Sequence, residues 1–273
     1  MHLKRWITGL AALPFLVYLI YSGGALFTLF IAAVSVVSLW EYFKILFEDS
    51  ALSDPPRPGW GIIPSVGIAI APVMVWTAHT CSMDAVLFAL VLHLILCALI
   101  SLVRFKTNPR IIETVVKSSQ GMIYIPLMLA FAVWIRDGVD GMRWVFFILA
   151  VVFAGDIGAF YAGTYWGRHK LCPSVSPGKT IEGAVGGLTG NLIVGTIVKL
   201  MLFPRLPWAG SLVLFLVLGV VGQIGDLYES EFKRTAGVKD SGSLLPGHGG
   251  LLDRIDALLF ALPVAYFFIK FIL

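Results

Sequence analysis

Residues that could carry phosphate and metal chemistry are concentrated between Asp226 and Asp256. Only 13% of the chain is charged, yet this stretch combines acids with bases and several glycines. The acids are Asp226, Glu229, Glu231, Asp240, Asp253 and Asp256, and the bases are Lys233, Arg234, Lys239 and Arg254. Such a concentration between two apolar runs indicates a site for a charged ligand.

Three of the acids predict a metal site. Asp253 and Asp256 are spaced i, i+3 at the start of the last apolar run, which places them on one face of a helix. Asp226, near the end of the preceding predicted helix, approaches the same point if the two helices are neighbours. Such hard oxygen ligands suit Mg²⁺. The alternative for Asp253 and Asp256 is that they are acids favoured by the helix dipole at an N-terminus.

A further acid, Asp156, lies inside an apolar run. An ionised carboxylate in mid-membrane costs about 2.5–3.5 kcal/mol on insertion scales, so we expect Asp156 to face a polar cavity and line the site. The small neighbours Gly155, Gly158 and Ala159 predict close helix approach. A purely structural hydrogen bond is the alternative for Asp156.

A second polar stretch, Ser176 to Gly183, predicts a phosphate cradle. Lys179 supplies a mobile charge, Ser176 and Thr180 supply hydroxyls, and the next helix start offers free N–H groups. A P-loop would require glycine at the position of Pro173, so that interpretation fails. A plain helix N-cap stays open for Ser176 and Thr180.

The bases of the first stretch suit phosphate binding. Arginine can grip phosphate through two parallel hydrogen bonds, and lysine acts as a point charge. Positive charge at the cytosolic end of membrane helices explains any one lysine, but not the neighbouring acids, glycines and His248.

The elements that must position these residues are membrane helices. Of the 273 residues, 58% are hydrophobic, against roughly 45–50% in soluble domains. Nine apolar runs are long enough to span a bilayer of about 30 Å, so the predicted fold is an all-α polytopic integral membrane protein. The runs are 6–22, 23–43, 61–78, 84–103, 119–135, 144–165, 183–203, 208–228 and 257–273, with a tight turn at Ser22-Gly23-Gly24.

Basic residues predict the orientation of these helices. With a cytosolic N-terminus, most lysines and arginines fall in cytosolic segments, as the positive-inside rule requires. The polar stretches around Lys179 and Asp226–Asp256 then face the cytosol.

We expect one continuous membrane domain, with scaffold helices in 1–142 and a catalytic region in 143–273. In the scaffold, Glu41 and His93 are interpreted as partnered polar residues. Cys81, Cys97 and Cys172 lack any disulfide or zinc spacing and are expected to pack.

The polar stretches together resemble a known family. Ser230-x-Phe232-Lys233-Arg234-x-x-x-x-Lys239-Asp240, followed by Leu245-Pro246-Gly247-His248-Gly249-Gly250 and Asp253-Arg254-x-Asp256, is similar to the signature of phosphatidate cytidylyltransferases, the CDP-diacylglycerol synthases. The stretch at Ser176 resembles the family's second motif, Ser-Pro-Lys-Lys-Thr-x-Glu-Gly. Here Gly178 stands in place of its first lysine, which removes any role of that lysine.

The resemblance implies an Mg²⁺-dependent enzyme that joins CTP to phosphatidic acid, giving CDP-diacylglycerol and pyrophosphate. It implies membrane lipids as surroundings, the bacterial inner membrane as location and no nucleic-acid partner; a second cation and a homodimer stay open. The expected catalytic residues are Asp226, Asp253, Asp256 and Lys239, with the three aspartates as metal ligands. The expected substrate-binding residues are Asp156, Ser176, Lys179, Thr180, Glu182, Lys233, Arg234, His248 and Arg254.

Other functions compete with this interpretation. An archaeal-lipid cytidylyltransferase or a polyprenol kinase would share the acids and the basic stretch. A CDP-alcohol phosphotransferase is disfavoured because its Asp-x-x-Asp-Gly-x-x-Ala-Arg pattern is absent; Ala257 follows Asp256. An ion transporter could use intramembrane acids, but it has no need of a glycine-rich basic loop.

Overall fold

The structure, a computed structural model, describes residues 13–47, 61–242, 244 and 249–272, and its regular elements are almost all helices. These are α1 (Leu13–Ser22), α2 (Gly24–Phe47), α3 (Ile62–Thr80), α4 (Met83–Arg104), α5 (Ile111–Met122), a π-helical segment (Ile123–Leu127), α6 (Met128–Asp137), α7 (Gly141–Trp166), α8 (Ile181–Leu202), α9 (Trp208–Ala236) and α10 (Leu252–Phe271). The prediction of an all-α polytopic membrane protein is confirmed.

Seven spans in the described part of the chain are long and apolar enough to cross a membrane. One of them, Ile111–Asp137, joins α5, the π-helical segment and α6, and begins before the predicted 119. Pro126 lies in the π-helical segment and lacks the N–H of a regular turn. The described part of α1 is shorter than a span, and α10 carries several charges, so nine spans stay a prediction.

Two small departures from the predicted elements affect the site. A short antiparallel hairpin, β1 (Lys170–Cys172) and β2 (Ser176–Thr180), precedes α8. In addition, α9 continues through Ala236, eight residues beyond the predicted end at Tyr228, so the first third of the stretch treated as a loop is helical. Its good helix formers continue until Gly237, whose φ of 75° ends the helix.

The chain forms two compact units, each described by itself. Unit 1 comprises Met1–Asp137 and Phe232–Arg254, and unit 2 comprises Gly138–Glu231 and Ile255–Leu273. The predicted functional division at residue 142 stays a prediction.

The core of unit 1 lies where α2 packs against α3, α6 and the π-helical segment. Tyr42 of α2 is fully buried, and its ring lies 5.3 Å from that of Phe232, while Tyr124 lies 5.6 Å from the same ring. This aromatic cluster fixes the start of the 232–254 segment. The predicted turn after α1 is also present, with Gly23 at φ 63°.

Unit 2 is built on close contact between α7 and α8. A Cβ placed on Gly158 would lie 2.6 Å from the carbonyl oxygen of Gly186, and one on Gly190 would lie 2.6 Å from that of Ala154. Glycine is therefore required for the two backbones to touch. This observation agrees with the close approach predicted from Gly155 and Gly158.

We expect Gly158→Ala to lower the free energy of unfolding by about 1–3 kcal/mol, because the new methyl group must push α8 away. The measurement is the thermal unfolding midpoint of the purified protein in detergent. Gly222→Ala is the matched control, since its Cβ would meet its nearest atom at 3.7 Å, an ordinary contact. Equal shifts for the two variants would contradict this packing.

Candidate functional site

An ion pair in unit 2 brings two predicted site residues together. Lys179 lies on β2, directly before α8, and Asp226 lies on α9. The lysine Nζ is 2.6 Å from Asp226 Oδ2, and the two side chains are 26% and 36% exposed. The lysine Nζ atom itself is buried, so the exposed part of the pair is mainly the Asp226 carboxylate and the lysine methylenes.

More acids surround this pair than one lysine can neutralise. Asp256 interacts electrostatically with Asp226, Glu229 and Asp156. A Cβ on Gly225 would lie 2.6 Å from the carbonyl oxygen of Asp256, so the small residue beside Asp226 permits close approach of α10. We call Asp156, Asp226 and Asp256, with Lys179, the acidic cluster.

Asp156 borders a small cavity with both polar and apolar lining residues, and its role in lining a substrate site stays a prediction. The cavity has a volume of about 10 Å³ and is also lined by Asn191 and Gln223, leaving room for about one water molecule. Asn191 is 1% exposed, and neither of its amide atoms has a hydrogen-bond partner among the described residues. Sequence analysis did not select Asn191 or Gln223, although polar residues in apolar runs are a usable signal.

Two of the predicted substrate-binding residues, where β2 meets α8, have structural partners. Thr180 is the N-cap of α8 and accepts a hydrogen bond from Gly183 N at 3.1 Å. Glu182 accepts from the backbone N–H groups of Arg168 and His169, and its Oε1 lies 2.6 Å from His169 Nδ1. The N-cap interpretation is thus confirmed for Thr180, while substrate contacts of both residues stay predictions.

Two other motif positions of the β1–β2 hairpin are at least partly accessible to solvent. Ser176 is half-buried and pairs with Cys172 across the two strands. Gly178 is exposed, and a Cβ there would meet nothing within 4 Å. The position therefore has room for the lysine usual in the motif that this stretch resembles.

In unit 1, Asp253 is held by a dense network. Its Oδ1 lies 2.6 Å from Lys233 Nζ, and its Oδ2 accepts from Gly250 N at 2.9 Å. The same Oδ2 accepts from the backbone N–H and the hydroxyl of Ser241, at 3.0 and 2.9 Å. Burial opposes ionisation of Asp253, but the hydrogen bond and charge of Lys233, with the two N–H donors, lower its pKa below the ordinary value.

A second buried carboxylate, Glu41 of α2, meets the same segment. Its Oε1 accepts from Leu251 N at 3.0 Å, its Oε2 accepts from Leu252 N at 2.8 Å, and Oε2 lies 3.3 Å from the Ser241 hydroxyl. Glu41 is therefore partnered, as expected, but its partners belong to the motif-bearing segment. No signal within α2 could have revealed them, because they lie some 200 residues away.

The remaining predicted basic residues of this segment lie at its surface. Arg234, Lys239 and Arg254 are exposed, and Arg234 Nη1 donates to Val238 O at 3.2 Å. Exposed cations can reach phosphate. His248 lies outside the residues that the structure describes.

The side chains of the acidic cluster can be compared with the needs of a cation site. Within the described ranges, no group of three or more His, Cys, Asp or Glu side chains is already arranged around one point as metal ligands. The donors nevertheless fit Mg²⁺, since hard carboxylate oxygens outnumber the nearby lysine. Asp253 belongs to unit 1, so its predicted membership of the same metal site stays a prediction.

The chain is similar to known proteins along nearly its whole length. Residues 3–272 match the family model described as "Cytidylyltransferase family". The chain is 34% identical to phosphatidate cytidylyltransferase of Bacillus subtilis over 97% of this chain and 96% of the relative. It is 46% identical to the phosphatidate cytidylyltransferases of Staphylococcus saprophyticus and Staphylococcus haemolyticus, over 46% of this chain and 48% of each relative.

Replacement of Asp253 by asparagine tests how much the negative charge of its side chain contributes to stability. We expect Asp253→Asn to lower the free energy of unfolding by about 2 kcal/mol at neutral pH, since hydrogen bonds to a charged acceptor are lost. Because the folded pKa is lowered, the wild-type advantage is present above the unfolded pKa of about 3.9 and is lost as pH falls through the folded value.

The measurement is the difference in unfolding midpoint between wild type and Asp253→Asn from pH 8 down to pH 3. It should stay constant to about pH 5 and shrink below about pH 4. Asp240→Asn, at an exposed carboxylate of the same segment, serves as the control. A difference that grows on acidification would contradict the assignment.

Proposed function

The chain belongs to the cytidylyltransferase family and is a CTP-using nucleotidyltransferase of the membrane; on that premise we propose that it is an Mg²⁺-dependent phosphatidate cytidylyltransferase. Its substrates are CTP and phosphatidic acid, and its products are CDP-diacylglycerol and pyrophosphate. The Lys179–Asp226 pair within a surplus of carboxylates is the observation that carries this proposal.

The proposed reaction is an in-line displacement at phosphorus. A phosphate oxygen of phosphatidic acid forms a bond to the α-phosphorus of CTP, and the bond from that phosphorus to the bridging oxygen of the β-phosphate breaks. Pyrophosphate leaves with the bonding electrons. Since the nucleophile is already an anion, no strong general base is needed, and the chain must mainly position substrates and neutralise charge.

Asp226 and Asp256 are the proposed Mg²⁺ ligands in unit 2, with Asp156 beside them. A bound Mg²⁺ supplies neutralisation of phosphate charge and support for the leaving group. Lys179 can exchange its contact with Asp226 for a phosphate oxygen, which leaves the carboxylate free to bind the cation. In the absence of substrate, the ion pair thus neutralises both the lysine and the carboxylate.

The basic residues of unit 1 are proposed to bind phosphate. Arg234, Lys239 and Arg254 are exposed, whereas Lys233 is only 11% exposed in its side chain and contacts Asp253. We therefore assign direct phosphate contact to the three exposed cations. Lys233 orders the segment that carries them.

The orientation of the enzyme follows from the distribution of its basic residues. We propose that the N-terminus and the motif-bearing segments face the cytosol, where CTP is found, in the bacterial inner membrane. The positive-inside pattern supports this orientation.

The test is conversion of phosphatidic acid by the purified protein in detergent, with CTP and Mg²⁺, following pyrophosphate and lipid product together. We expect equal amounts of both products, loss of turnover on chelation, and a decrease in kcat of about a hundredfold in Asp256→Asn, in line with loss of a charge-stabilising group. Asp84→Asn, an exposed acid in the first turn of α4, is the control.

Assays with competing lipids distinguish the proposed activity from the related cytidylyltransferase and kinase activities. Preference for an archaeal-type ether lipid or a polyprenol over phosphatidic acid would contradict the lipid assignment. Failure to consume CTP with any of these lipids would contradict the proposed reaction.

A further inference from the structure

Glu41 is a buried carboxylate whose charge is balanced by hydrogen bonds. Its side chain is fully buried, and no lysine or arginine pairs with it among the described residues. A buried carboxylate is costly unless donors satisfy it. The donors here are the N–H groups of Leu251 and Leu252, at 3.0 and 2.8 Å.

These donors lie at the start of α10, since Leu251 directly precedes the helix. Leu252 is the first residue of that helix, and the opening N–H groups of a helix have no partners within it. The helix dipole adds a favourable interaction with a negative group at this end. Glu41 thus caps a helix that begins more than 200 residues further along the chain.

Space around Glu41 is shaped for this contact. A Cβ on Gly242 would lie 2.6 Å from Glu41 Oε1, and one on Gly250 would lie 2.7 Å from Oε2. Both glycines let the segment come close to the carboxylate. Gly242 and Gly250, from the middle and the end of the segment between α9 and α10, therefore both pack against one side chain of α2.

Ser241 connects this contact to Asp253. Its hydroxyl lies 3.3 Å from Glu41 Oε2 and donates to Asp253 Oδ2 at 2.9 Å. Gly250, whose N–H donates to the same oxygen of Asp253, is the glycine packed on Glu41. A shift of Glu41 would thus be transmitted to Asp253 through two separate contacts.

We propose that Glu41 is a positioning residue, which fixes the start of α10 and the orientation of the Asp253 carboxylate for the cytidylyl-transfer reaction. This inference rests on the proposed function for its kinetic part only. Glu41 is fully buried and its hydrogen bonds go to the segment itself, so we expect its effect in kcat and in the order of the segment.

The test uses the full-length protein with Glu41→Gln, Glu41→Asp and, as matched control, Ser38→Ala. Ser38 lies on the same helix, is fully buried, and its hydroxyl has no partner among the described residues. Glutamine keeps the size of Glu41 but turns an NH₂ group towards N–H donors. Aspartate keeps the charge with a shorter reach.

The first readout is amide hydrogen exchange in peptides covering 249–256. We expect faster exchange in Glu41→Gln than in wild type, an intermediate rate in Glu41→Asp, and the wild-type rate in Ser38→Ala. Unchanged exchange in Glu41→Gln would overturn the proposal.

The second readout is CTP-dependent turnover at saturating phosphatidic acid. We expect kcat of Glu41→Gln to fall about ten- to a hundredfold, as small misplacements of catalytic groups do, with partial recovery in Glu41→Asp and an unchanged KM for CTP. Faster exchange with a wild-type kcat would reduce Glu41 to a structural residue and overturn the positioning role. An inactive wild type would overturn the proposed function, and exchange would then decide whether Glu41 holds the start of α10.

Discussion

The constraint that shapes this protein is the cost of carboxylates in a chain made mostly of apolar helices. Asp156, Asp226 and Asp256 interact with one another in unit 2, and like charges so placed destabilise the fold unless cations or donors compensate them. Lys179 balances part of this charge through Asp226. The remaining carboxylates are the reason for proposing that the cluster binds a divalent cation.

The helix packing of unit 2 serves this arrangement. Glycines along α7 and α8 bring the two backbones into contact, and Gly225 on α9 admits the backbone of α10 at Asp256. Side chains at these positions would hold the helices apart. Close packing of small residues therefore fixes the positions of the helices that carry the acidic cluster.

Much of this could be predicted from the sequence, because apolar runs set the helices and the motifs selected Lys179, Asp226 and Asp256. The extension of α9 to Ala236 was missed, since charged residues that end an apolar run say little about where a helix ends. The role of Glu41 was also missed, because its partners at Ser241 and Leu252 are fixed only by tertiary structure. Asn191 is a polar residue inside an apolar run, but nothing in the sequence indicated the cavity beside it.

The most direct test of the account is cation binding by the acidic cluster, measured without turnover. Mn²⁺ binding to the purified protein, followed by electron paramagnetic resonance and displaced by Mg²⁺, should be strong in wild type. It should weaken by at least about tenfold in Asp226→Asn and in Asp256→Asn, because each removes one anionic ligand. Wild-type affinity in both variants would contradict the central claim that these carboxylates hold the cation.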